Sequence, residues 1–149
     1  MESKKEITKN LLANSFKKLI LDIPFKNITI KMITDKSKVI RPTFYHHFKD
    51  KYEVLEYIVD EDIMKNIYEM VDSDMEYESL KIIFIRLEKN REFIKKAFKV
   101  EGQNSFKEIL GYKIYNIFIR IIDKHELNEL YYSNVLTKEN MARYYTNGL

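Results

Sequence analysis

Arg41, Thr43, Tyr45 and His46 lie within six positions, interrupted by Phe44 and followed by Phe48. Residues four apart share a helix face. The two phenylalanines therefore anchor such a helix inward, while the guanidinium, the hydroxyls and the imidazole are left for other faces. Those groups suit phosphate oxygens and base edges: arginine pairs bidentately with guanine, and tyrosine and lysine reach the backbone. Lys38 and Lys51 flank the set. His46 and His47 invite a metal reading, but side chains at i and i+1 do not face each other. The chain has no cysteine and no acidic cluster spaced to complete such a site. No metal or other cofactor is expected, and His47 reads as a packed or hydrogen-bonded scaffold residue. There is no Gly-rich phosphate loop and no Ser–His–acid pattern, so no catalytic residue is assigned and an enzyme is not expected.

A helix that presents such residues needs supports. Ile7, Leu11, Leu12, Phe16, Leu19 and Ile20 recur at helical spacing and predict a first helix over 4–21, ended by Pro24. Thr29 is an N-cap for a second helix over 30–36. After the turn Ser37-Lys38-Val39, a third covers 41–48, with Pro42 in its first turn, where a missing N–H costs nothing. Asp50 caps a fourth helix expected to run unbroken over 51–72. Further helices are expected over 77–88 and 91–100, stopped by Gly102, and then from a Ser105 or Asn104 cap through a long apolar stripe that includes Phe106, Ile114 and Ile121. The chain then runs over 128–137 to a last helix beginning at Lys138. That helix is still apolar on one face at Leu149, which implies a further helix beyond it. The fold class is all-α: a three-helix head with a helix-turn-helix over 1–50, then a helical-bundle regulatory and dimerisation domain over 51–149. Phe84, Phe93, Phe98, Phe106, Tyr112, Tyr115 and Phe118 supply either plain core or the lining of a ligand cavity. Gly111 permits close packing or leaves room for a ligand.

Composition agrees. Only 3 glycines and 2 prolines punctuate 149 residues, too few for sheets joined by tight turns. The net charge of +3 is unevenly divided. Residues 1–51 carry 12 Lys/Arg against 5 Asp/Glu, or +7, and residues 52–149 carry 14 against 18, or −4. A basic end is the footprint of a phosphate-binding surface, although a solvated lysine face would look the same. The absence of cysteine suits a reducing cytoplasm, no secretory leader is apparent, and no run approaches the ~18 apolar residues of a membrane span.

Spacing alone leaves an ordinary helical hairpin as an alternative. The run from Phe25 through Thr29-Ile30 and Ile33-Thr34 to Arg41-Pro42-Thr43-Phe44-Tyr45-His46-His47-Phe48-Lys49-Asp50-Lys51 resembles the N-terminal region of the TetR family. Behind it, Leu87 to Phe93, then Gly102 and Phe106, resemble more loosely the short-bodied branch related to activators of dihydroxyacetone kinase operons. The resemblance implies a homodimer on double-stranded DNA, each third helix in a major groove of an inverted repeat. It also implies a dimer contact through the last two helices and a body open to a small-molecule or protein effector. The DNA-binding set it singles out is Thr29, Lys31, Lys38, Arg41, Pro42, Thr43, Tyr45, His46, Lys49 and Lys51. Relatives often carry Gly in the turn and Ser or Thr as the cap of the third helix. Here Lys38 and Ile40 stand there, so a left-handed lysine and an uncapped helix are expected. The competing reading is a helical protein-interaction adaptor that has lost DNA binding.

Overall fold

Side-chain caps decide where several of the helices begin. The Ser3 hydroxyl accepts the Glu6 N–H at 3.2 Å while the Glu6 carboxylate accepts the Ser3 N–H at 2.7 Å, which starts α1 (Lys4–Asp22). A short 3-10 turn (Phe25–Asn27) follows Pro24. Thr29 accepts the Met32 N–H at 3.2 Å and opens α2 (Ile30–Ser37). The third helix, α3 (Arg41–His47), has Pro42 in its first turn. Asp50 accepts the Tyr52 and Glu53 N–H groups and opens α4 (Lys51–Val59). Then come α5 (Ile67–Asp72), α6 (Glu76–Lys89), α7 (Arg91–Ala97), α8 (Phe106–Lys124), capped by Ser105, and α9 (Lys138–Gly148). The computed structural model describes residues 3–125 and 137–148, and every regular element among them is helical. Apart from Thr137, the expected connection over 128–137 lies outside the described residues, as does Leu149.

Two expectations need correction. The helix predicted over 51–72 is interrupted: α4 passes into a π turn (Asp60–Met64), Asn66 adopts a left-handed backbone with φ 62°, and α5 starts afresh. Asparagine is among the few residues that tolerate that conformation. The interruption is held from outside. Arg86 of α6 donates to the Ile63 and Lys65 carbonyls at 2.8 and 2.7 Å, Lys17 of α1 binds Asp62, and Lys113 of α8 binds Asp60 at 2.6 Å. The helix predicted over 91–100 ends at Ala97, in a turn that leads to Gly102 at φ 93°.

A continuous apolar core runs through both ends of the molecule. Leu12 and Phe16 of α1 meet Ile33, Phe44, Phe48, Leu55 and Ile58, and the same cluster extends to Ile67, Phe93, Phe106 and Ile117. α1 packs on α2, α3, α4 and also α7, while α9 lies along α8. No helix among the described residues is long and apolar enough to cross a membrane.

Candidate nucleic-acid interface

Phe44 and Phe48 are almost wholly buried, with ring centroids 5.9 Å apart. Each is worth roughly 1.5–3 kcal/mol of apolar burial, enough to fix α3 on the head by one face. The opposite faces carry Arg41, Pro42, Tyr45 and His46, all exposed, and Thr43, half-buried. The Arg41 guanidinium lies 3.5 Å from the Tyr45 hydroxyl, one turn on, so the two form a single polar edge. Tyr45 rests its ring on Phe44 (5.5 Å, edge to face) and stays half exposed. Thr29, Lys31, Lys38 and Lys49 are exposed at the ends of α2 and α3 and in the turns that flank them. Nine of the ten residues expected to meet DNA thus have accessible side chains on this short stretch of head.

Local geometry explains the two departures from the family pattern. Lys38 sits at φ 57°, ψ 33°, and its N–H and that of Val39 return to carbonyls of α2, closing the helix in the usual left-handed manner. A lysine there carries a penalty of about 1 kcal/mol that glycine would not. Ile40 has the extended backbone of an N-cap but makes no side-chain capping bond.

Lys51 is the exception among the ten. Its ammonium points into the head, donating to the carbonyls of Phe25 (2.7 Å), Ile28 (2.9 Å) and Lys26 (3.3 Å), over the Phe25 ring at 4.5 Å. All three N–H donors are used, and burial pushes its pKa below the usual lysine range. It fastens the α1–α2 connection to the start of α4. Sequence reasoning could not find this, because the three carbonyls lie 23–26 residues away. His47 is packed, as expected, but its Nδ1 is buried without a hydrogen-bond partner. Burial first, then the neighbouring His46, Lys5 and Lys9, lower its pKa. Further ties bind α4 to α1: the Tyr57 hydroxyl donates to Asn10 at 2.9 Å, and the Lys9 ammonium lies 4.9 Å above the Tyr57 ring.

The body's aromatics divide. Phe93 and Phe106 are core, and Phe118 stacks on Tyr145 of α9 at 5.4 Å. Phe84, Phe98 and Tyr112 are exposed, and with Leu80 and Leu87 they line a groove of about 1080 Å³ between α6, α7 and α8. Gly111 borders that groove, and a Cβ built there meets nothing within 4 Å, so close packing does not require it.

A basic helix-turn-helix head fused to a helical body defines a DNA-binding regulator of transcription. Residues 17–58 match the family model described as bacterial regulatory proteins, tetR family, so the head is similar to the heads of those regulators. The chain is also similar to the HTH-type dhaKLM operon transcriptional activator DhaS of Lactococcus lactis subsp. lactis (strain IL1403): 26% identical over 138 residues, covering 93% of this chain and 73% of that protein.

Proposed function

We propose that this protein regulates a bacterial operon by binding an inverted-repeat operator as a homodimer, with its DNA affinity set by an effector at the helical body. The observation that carries the reading is α3, whose Phe44 and Phe48 are sunk in the core while Arg41, Thr43, Tyr45 and His46 face outward. In helix-turn-helix docking the start of the second helix of the motif meets base edges, which here assigns Arg41 and Thr43 to bases. Thr29, Lys31, Lys38, Pro42, Tyr45, His46 and Lys49 then lie against the backbone. Lys51 supports them from inside, and its geometry favours a scaffold role over the phosphate contact expected from the resemblance. The head occupies residues 1–50 and the body 51–149, the body supplying both the dimer contact, through α8 and α9, and the effector site. The groove beside Phe84 and Tyr112 has the size and apolar lining of a small-molecule site. The protein works in the cytoplasm, with the chromosome, and performs no chemistry of its own.

Selection from a random duplex pool tests this. The expected result is an enriched inverted repeat whose half-site centres lie about one helical turn apart or somewhat more, bound with a steep salt dependence. No enrichment and a flat salt response would favour the protein-interaction adaptor.

A further inference from the structure

A second cleft, of about 450 Å³, opens where the head meets the body. It shares only Glu101 with the larger groove. Ile20, Phe25 and Val100, all buried, form its apolar part, with Tyr52 against Phe25 at 4.8 Å. Around them stand three exposed ammonium groups from two parts of the chain: Lys26 in the α1–α2 connection, and Lys96 and Lys99 at the end of α7 and just beyond it. Asp22 and Glu101 are the acidic neighbours, which leaves one positive charge in excess. None of the three lysines is tied up in an ion pair among the described residues. This is unlike Lys17, Lys113 and Lys124, which serve the fold.

From this arrangement we propose that the cleft binds a small organic anion, a phosphate or carboxylate on an apolar body about the size of one ring, and that occupancy is transmitted to the helix-turn-helix through Phe25. The volume falls within the roughly 300–1,000 Å³ usual for small-molecule sites. An apolar part beside convergent cations matches a ligand with one apolar and one anionic end. The cleft is too small to admit a duplex, and the two carboxylates oppose a polyanion, which points to a free ligand and away from DNA phosphates. Asp22 and Glu101 remain available as acceptors for a hydroxyl on the ligand.

The route to the head is short. The Phe25 ring borders the cleft and lies beneath the Lys51 ammonium, and the Phe25 carbonyl accepts from that same group. Thr29, which caps α2, follows four residues later. A ligand leaning on Phe25 therefore bears on the starts of α2 and α4 together. This consequence, unlike the binding itself, rests on the DNA-binding function proposed above. By linkage, DNA and ligand must then alter each other's affinity by the same factor.

The test uses the full chain, first without DNA. Amide NMR follows titration with phenyl phosphate, benzoate and, as an uncharged control, benzyl alcohol. We expect shifts centred on Phe25, Tyr52 and Val100 and reaching the starts of α2 and α4, stronger binding of the two anions than of the alcohol, and a loss on the order of tenfold in Lys96→Ala/Lys99→Ala, since charge-assisted hydrogen bonds are lost. The exposed positions make unfolding of that variant easy to detect, and Lys96→Arg/Lys99→Arg should retain binding. Equal affinity for benzyl alcohol, unchanged binding in the alanine variant, or no shifts at these residues would overturn the site. In the second arm, saturating phenyl phosphate should change affinity for duplex DNA selected by the protein. An unchanged affinity overturns the transmission through Phe25. If no DNA is bound at all, the operator-binding reading fails while the first arm still decides the site.

Discussion

Arg41 and Lys51 are both cations near the helix-turn-helix, yet their surroundings give them opposite tasks. Arg41 is exposed, with its guanidinium free to leave Tyr45 for a base. Arg41→Ala should relax discrimination among operator variants by ~1–3 kcal/mol; a loss that is uniform across all sequences would move it to the backbone. Lys51 holds three carbonyls. Lys51→Met should lower the unfolding free energy by about 1–3 kcal/mol, because buried acceptors lose their donor. It should leave the slope of log affinity against log salt unaltered. A slope reduced by about one would instead show a neutralised phosphate. His47 makes a pH prediction. Its folded pKa lies below the ordinary 6.5, so the fold favours the neutral ring. The stabilising contribution is complete above about pH 6.5 and is lost as pH falls through the lowered value. Urea midpoints should therefore drop between pH 7 and pH 5, and drop less in His47→Gln; parallel profiles for the two proteins would rule this out.

Among the elements, the α2–α3 turn works with unfavourable residues at two positions, and each can be improved. Ile40 already has the backbone of an N-cap at φ −76°, ψ 150° and is exposed, so Ile40→Ser adds a capping bond worth ~1 kcal/mol without disturbing the core. Lys38→Gly relieves a left-handed lysine for a similar gain of ~1 kcal/mol. The double variant should melt several degrees higher, and an unchanged midpoint would mean that the turn geometry differs from the one described. These local features were legible in the sequence because a cap or a left-handed turn is settled within four residues. Thr29, Asp50 and Ser105 all cap where their types and positions predict. The Ser3–Glu6 box was equally legible, as a serine followed three residues later by glutamate, but was missed. The break in the helix over 51–72 was not legible. Nothing in Asp60-Glu61-Asp62-Ile63-Met64 opposes a helix, and the partners that hold the interruption, Arg86, Lys17 and Lys113, come from distant positions.

Across the whole molecule, the question is what covers the surface the fold leaves apolar. Phe84, Ile85, Tyr77 and Tyr112 are exposed on α6 and α8. On α9 the chain buries Ala142 against its own α8, while Tyr144 is three-quarters exposed. A soluble chain rarely leaves so much aromatic surface bare, and a two-fold pairing of α8 and α9 is one means of covering part of it. Sedimentation across a range of concentrations should show a dimer, and Tyr144→Glu should shift it toward monomer. A strict monomer for the unmodified protein at tens of micromolar, the usual range for such work, would end the constitutive-dimer reading. The sequence indicated an apolar body but not which aromatics would line it. Phe93 and Phe84 look alike at helical spacing, and only the packing of α1 and α7 against the core separates the buried ring from the exposed one.

The π turn at Asp60–Met64 has a consequence for what this chain can tolerate. Such a turn closes its hydrogen bonds one residue later than an α turn, so the segment carries one residue more than regular helix would use. Each residue of an α-helix advances the side chains by about 100°. Deleting one position between 60 and 64 would return the segment to the regular count and keep the downstream facing, whereas inserting one would swing everything downstream by that angle, carrying Ile67 and Val71 out of the core in which they are fully buried. Asp60, Glu61 and Asp62 all lie at least partly at the surface, but Asp60 and Asp62 are held by Lys113 and Lys17, so their side chains matter to the turn. This stretch can thus lose a residue more readily than it can gain one, unlike a surface loop, which accepts both.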